Sequence, residues 1–203
     1  MARMRLVGAA LLGYLLGTLP SADVAVRLAG RRDVDLRAQG TGNPGAANAL
    51  VVLGKRYGYA IMATDVAKGA LACVGGRRVA GGGGAHVAGP AAVVGHCFPV
   101  WNGFRGGKGV AASAGQCLAT FPAYFPLDLA VAWAGSATRW RARTFGATAA
   151  ASLAWVAAAV LWWRRDWPNL WGPRPTAGLP AAAAASSAVI LYRFATTPGG
   201  PPR

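Results

Sequence analysis

The chain has 203 residues, of which 54% are hydrophobic and only 13% charged, too apolar a balance for the surface of a water-soluble domain. Its net charge of +15 comes from 21 Lys and Arg against six acids, all of them Asp. The basic residues fall in short clusters between apolar runs, which suits loops beside anionic headgroups and phosphorylated ligands and argues against nucleic acid as a partner. Three cysteines in apolar surroundings, Cys73, Cys97 and Cys117, supply neither a disulfide framework nor zinc spacing.

A membrane helix needs about 20 mainly apolar residues. Leu6–Ala29 meets this, despite Pro20 and Asp23, and follows Arg3 and Arg5. It runs too far for a secretory leader and is expected to be a retained first span. Gly58–Gly75 is the second candidate, with Asp65 and Lys68 inside it; Ala85–Val100 is a short third that carries His86 and His96. Between them Gly81–Gly84 is expected to be a flexible turn. Val110–Tyr124 is the fourth, Phe125–Ala137 a weak fifth of re-entrant length, Thr144–Trp163 the sixth and Gly178–Phe194 the seventh. Trp162, Trp163, Trp167 and Trp171 form an interfacial belt at one end of the sixth span. The expected fold is therefore all-α: a polytopic membrane protein of about seven transmembrane helices, with short or re-entrant segments around cytoplasmic phosphate-binding loops. One domain covers residues 1–197, and the tail 198–203 is expected to be disordered.

The basic residues set the expected orientation. Arg31, Arg32, Arg37, Lys55, Arg56, Arg105, Lys108, Arg139, Arg141 and Arg143 fall on one side. Arg3, Arg5, Arg77, Arg78, Arg164, Arg165 and Arg174 fall on the other. The first side is the richer and is expected to be cytoplasmic, with the N-terminus outside and the C-terminus inside.

Three constellations carry chemistry. In Gly40-Thr41-Gly42-Asn43-Pro44-Gly45-Ala46-Ala47-Asn48, glycines allow close backbone approach while Thr41, Asn43 and Asn48 add neutral donors. Such a loop can cradle an anion; the plainer reading is a turn with Pro44 opening a helix. In Phe104-Arg105-Gly106-Gly107-Lys108-Gly109-Val110, a lysine stands in a glycine nest ahead of a helix N-terminus. This combines a point charge, backbone donors and the positive helix end, without Walker spacing. The plainer reading is a basic loop, with His96 a satisfied buried histidine. Third, Asp65 and Lys68 are three residues apart on one helix face. They are either functional or a structural pair joining helices. The sequence has no Gly-x-Ser-x-Gly elbow and no His-rich metal cluster, and Ala91 and Trp101 stand where a His-x4-Asp pair would need its acid.

At the two loops the chain resembles the bacterial acyl-phosphate:glycerol-3-phosphate acyltransferase family. The resemblance rests on Gly40–Asn48, Gly95-His96-Cys97-Phe98-Pro99 and Phe104–Ala111. It is extended by Tyr14–Thr18, Val52–Gly58 and Asp65-x-x-Lys68-Gly69, over roughly the first 120 residues. It implies transfer of an acyl group from acyl phosphate to glycerol 3-phosphate at a membrane, giving lysophosphatidic acid, with membrane lipids as surroundings and no metal or cofactor. Carried onto this chain, Lys108, His96 and Asn43 are the expected catalytic residues. Thr41, Gly42, Asn48, Gly106, Gly107 and Gly109 are the expected substrate-binding residues. The chain departs from the family at Val51, where relatives carry Arg, and at Tyr192-Arg193-Phe194-Ala195, where they carry His-Arg-x-Asn. For the family's third motif, of spaced serines, only Thr144, Thr148 and Ser152 stand in reach. The residues alone leave open an acyltransferase with a different polyol or phosphorylated acceptor, or a membrane scaffold or transporter.

Overall fold

A computed structural model describes residues 1–130 and 144–197, and those residues form helices and loops without a strand. The expected first span is broken in two: α1 (Ala2–Gly17) and α2 (Ser21–Leu28). Pro20 is the physical cause, because proline brings no N–H to continue the helical ladder. The carbonyls left at the end of α1 find side-chain donors: Thr18 Oγ1 to Leu15 O at 2.7 Å and Lys68 Nζ to Leu19 O at 3.2 Å. Apolar content sees one segment here, Ala2–Leu28, and backbone chemistry divides it.

The short helix α3 (Ala46–Val52) leads into α4 (Lys55–Cys97). Ala80 (φ −142°, ψ 28°) and Gly81 (φ 64°, ψ −155°) leave helical geometry, so α4 is a hairpin of two arms. These arms are the expected second and third spans, lengthened. The turn is tighter than the four glycines suggest: Gly82, Gly83 and Gly84 are helical, and Gly84 packs against Gly76 of the facing arm. α1 lies along the second arm, with Gly13 against Ala88 and Gly17 against Ala92, so near that a Cβ would overlap backbone. Two small residues four apart are what lets membrane helices approach this closely.

α5 (Val110–Thr120) is shorter than the expected span to Tyr124. It crosses the first arm of α4 and is tied to the last helix by Ser186 Oγ to Gln116 Oε1 at 2.6 Å. Residues 125–130 are helical; the remainder of the expected fifth span, Arg139, Arg141 and Arg143 and the tail 198–203 lie outside the described residues. α6 (Thr144–Arg165) and α7 (Gly178–Thr196) stand where the sixth and seventh spans were expected. Ala2–Leu28, Phe145–Arg165 and Gly178–Thr196 are each long and apolar enough to cross a membrane.

The described contacts sort the loops onto two ends. At one end Arg77 donates to Trp171 O, Trp171 to Leu118 O and Asn169 to Thr120 O, each at 2.9–3.0 Å, while Trp162 and Trp167 meet edge to face. At the other end the loop after α2, the loop after α4 and the end of α7 converge.

Candidate functional site

The first loop is held by Asn48. This residue is 1% exposed; its Oδ1 accepts the Thr41 N–H at 2.9 Å and its Nδ2 donates to Leu36 O and Gln39 O, both at 2.9 Å. Three of the four hydrogen-bonding positions on the amide are used to fold the loop, so Asn48 shapes it. Gly40 and Gly42 take left-handed φ of 61° and 70°, and the Gly42 N–H bonds to Gln39 O. Pro44 does not open the following helix, which is capped by Gly45 and begins at Ala46. Asn43 Oδ1 is buried and without a partner among the described residues.

The second loop doubles back over the end of α4. Gly103 and Phe104 both have positive φ, 57° and 62°, and the reversal lets Gly106 N–H bond to Cys97 O and Gly107 N–H to His96 O, both at 3.1 Å. These two amides were expected to face an anion; they are instead spent on the backbone of the preceding helix. The glycines serve close approach, since a Cβ on Gly107 would run into the His96 ring and one on Gly106 into His96 O. Their carbonyls are gripped in turn by Arg193 of α7, Nη2 to Gly106 O at 2.8 Å and Nε to Gly107 O at 3.1 Å. Gly109, also left-handed, caps α5. Lys108 lies between these anchors with its ammonium 4.4 Å over the Phe194 ring. Burial, and then the positive charge of Arg193, lower its pKa from the ordinary lysine value.

Two carboxylates lie beneath the loops, Asp23 bonded to both and Asp65 beside His96 at the base of the second. Asp23 of α2 receives Arg37 Nη1 at 2.7 Å, Arg37 Nη2 at 3.1 Å and Asn102 Nδ2 at 2.7 Å. Arg37 also donates Nε to Arg105 O at 2.9 Å. The hydrogen bonds to Asp23 raise the Arg37 pKa. Asp65, 1% exposed, receives Ser21 Oγ at 2.6 Å and Lys68 Nζ at 2.9 Å, and its Oδ1 lies 3.5 Å from His96 Nδ1. The expected Asp65–Lys68 pair therefore exists, and it reaches the α1–α2 break on one side and His96 on the other.

Between the loops lies a cavity of about 420 Å³, walled by Thr41, Gly42, Arg37, Arg105, Gly106 and Arg193 among others. A narrow cleft beside it is lined by Ser21, Lys68, His96 and Gly107. Of the residues expected from sequence, Thr41, Gly42 and Gly106 line the cavity and His96 and Gly107 the cleft. Arg37, Arg105 and Arg193 were not expected there. Arg193 had a legible signal, an arginine in the last turn of an apolar helix; Asp23 had another, an acid inside an apolar run. Such a basic, half-enclosed site suits a phosphate-bearing ligand.

Comparison with known proteins supports the same chemistry. A family model described as glycerol-3-phosphate acyltransferase matches residues 7–198. The glycerol-3-phosphate acyltransferase of a Jannaschia species is 42% identical over 154 residues, 75% of this chain and 73% of that protein. That of Synechococcus elongatus is 45% identical over 130 residues, 59% of this chain and 60% of that protein. Two crystal structures of PlsY (YgiH), described as an integral membrane glycerol 3-phosphate acyltransferase, share the fold. The glycerol 3-phosphate form gives a TM-score of 0.74 at 28% identity, covering 94% of this chain and 88% of that one. The lysophosphatidic acid form gives 0.69 at 25% identity, covering 93% and 87%.

Proposed function

The chain belongs to the glycerol-3-phosphate acyltransferase family, integral membrane enzymes, and from that premise we propose that it moves an acyl group from acyl phosphate to the sn-1 hydroxyl of glycerol 3-phosphate. The hydroxyl oxygen attacks the acyl carbonyl carbon. The bond from that carbon to the phosphate oxygen breaks, and the phosphate leaves with the electron pair and takes up the hydroxyl proton. The products are lysophosphatidic acid and inorganic phosphate.

The observation that carries this reading is the cavity between the two loops, lined by Thr41 and three arginines. Lys108 and the α5 N-terminus at Gly109 offset the charge that develops on the leaving phosphate. Thr41 and Asn43, whose Oδ1 has no partner among the described residues, orient the acceptor hydroxyl. His96, fixed between Asp65 and Gly107, sets the position of the loop that carries Lys108. An acyl phosphate has a good leaving group already, so proximity is the main thing the site must supply. The acyl chain reaches the site from the bilayer. The site faces the cytoplasm, the side toward which the richer set of Lys and Arg is drawn.

The test is a product assay on purified protein in detergent, with palmitoyl phosphate and labelled glycerol 3-phosphate. Label in lysophosphatidic acid that vanishes in Lys108→Ala supports the assignment. Folded wild type without product overturns it. An impermeant maleimide settles sidedness: with Cys73, Cys97 and Cys117 all buried, Ala38→Cys should label only after cells are permeabilised.

A further inference from the structure

We propose that Arg105 grips the phosphate of the acceptor. This deepens the acceptor reading above and rests on it. A phosphate monoester carries nearly two negative charges at neutral pH, and a guanidinium fork is the side chain best matched to its oxygens. Three arginines line the cavity. Arg37 is committed: both Nη atoms go to Asp23 and Nε goes to Arg105 O. Arg193 is committed as well, to Gly106 O and Gly107 O, with its guanidinium carbon 5.3 Å from the Phe98 ring centre. The Arg105 guanidinium has neither a hydrogen bond nor an ion pair among the described residues, so its whole fork is open to a ligand.

Its backbone, by contrast, is fixed. The Arg105 N–H bonds to Asn102 O at 3.1 Å and its carbonyl accepts from Arg37, directly after two residues of positive φ. The loop thus spends its structural hydrogen bonds on holding Arg105 in place and leaves its charge free.

The experiment is steady-state kinetics of the full chain in detergent with palmitoyl phosphate, comparing wild type, Arg105→Gln and Arg105→Lys. Loss of hydrogen bonds to a charged group predicts that Arg105→Gln raises the KM for glycerol 3-phosphate by about tenfold or more. The donor KM and kcat should stay within about twofold, with Arg105→Lys recovering part of the loss. A merely structural role would lower kcat or change both KM values together. An active wild type whose Arg105→Gln variant keeps its acceptor KM, or loses kcat alone, overturns the role of Arg105. A folded wild type that does not acylate glycerol 3-phosphate overturns the acceptor reading and this role with it.

Discussion

Arg37 and Asp23 meet in a two-pronged pair, Nη1 to Oδ1 at 2.7 Å and Nη2 to Oδ2 at 3.1 Å, and the same carboxylate takes Asn102 of the second loop. One acid on α2 therefore fastens the loop after α2 and the loop after α4 at once. It also neutralises Arg37.

Asp23→Asn keeps the shape and removes the charge. One lost charge-assisted bond is worth about 1.5–3 kcal/mol, so kcat/KM should fall about 10- to 150-fold. Arg37→Lys should behave alike, because an ammonium cannot span both oxygens and reach Arg105 O. Steady-state assays on the two variants check this; wild-type activity in Asp23→Asn would mean the loops are fastened elsewhere.

Lys68 and Asp65 are 3% and 1% exposed and sit 2.9 Å apart. Breaking such a pair leaves a buried charge uncompensated, at a cost of about 3–5 kcal/mol, whereas removing both partners costs less. Lys68→Met should thus lower thermal stability in detergent more than Lys68→Met combined with Asp65→Asn. The reverse order in a melting experiment would show that the pair does not act as a unit.

Lys108 is pushed below the ordinary lysine value of 10.5, first by burial and then by the charge of Arg193. Both effects disfavour the ammonium form. Activity that needs this ammonium is present at low pH and is lost as pH rises through the lowered pKa. Arg193→Gln removes the second cause, so the alkaline limb of kcat/KM should move upward in pH. A limb that stays put or moves down would assign it to another group.

What could be read from sequence was what is local. The Asp65–Lys68 pair follows from spacing on one helix, and the two loops from contiguous runs of glycine around Thr41 and Lys108. What could not be read was set by chain-distant partners. Arg193 is 87 residues from Gly106, and nothing near either residue announces the bond. The sequence likewise hides which backbone amides are already spent, as those of Gly106 and Gly107 are on Cys97 O and His96 O. An apolar count reads Leu6–Ala29 as one rod because it weighs composition and not the missing N–H of Pro20.

The brace that Arg193 applies to the Gly106 and Gly107 carbonyls also has a meaning in biosynthetic time. Those carbonyls leave the ribosome 87 residues before the arginine that secures one of them. At synthesis rates of about 5–20 residues per second, that is an interval of about 4–17 seconds. Through that interval both motifs are already translated, yet the loop bearing Lys108 still lacks its clamp. The nascent chain completes this loop only when its last described helix is laid into the bundle, so the site takes its final shape late in assembly.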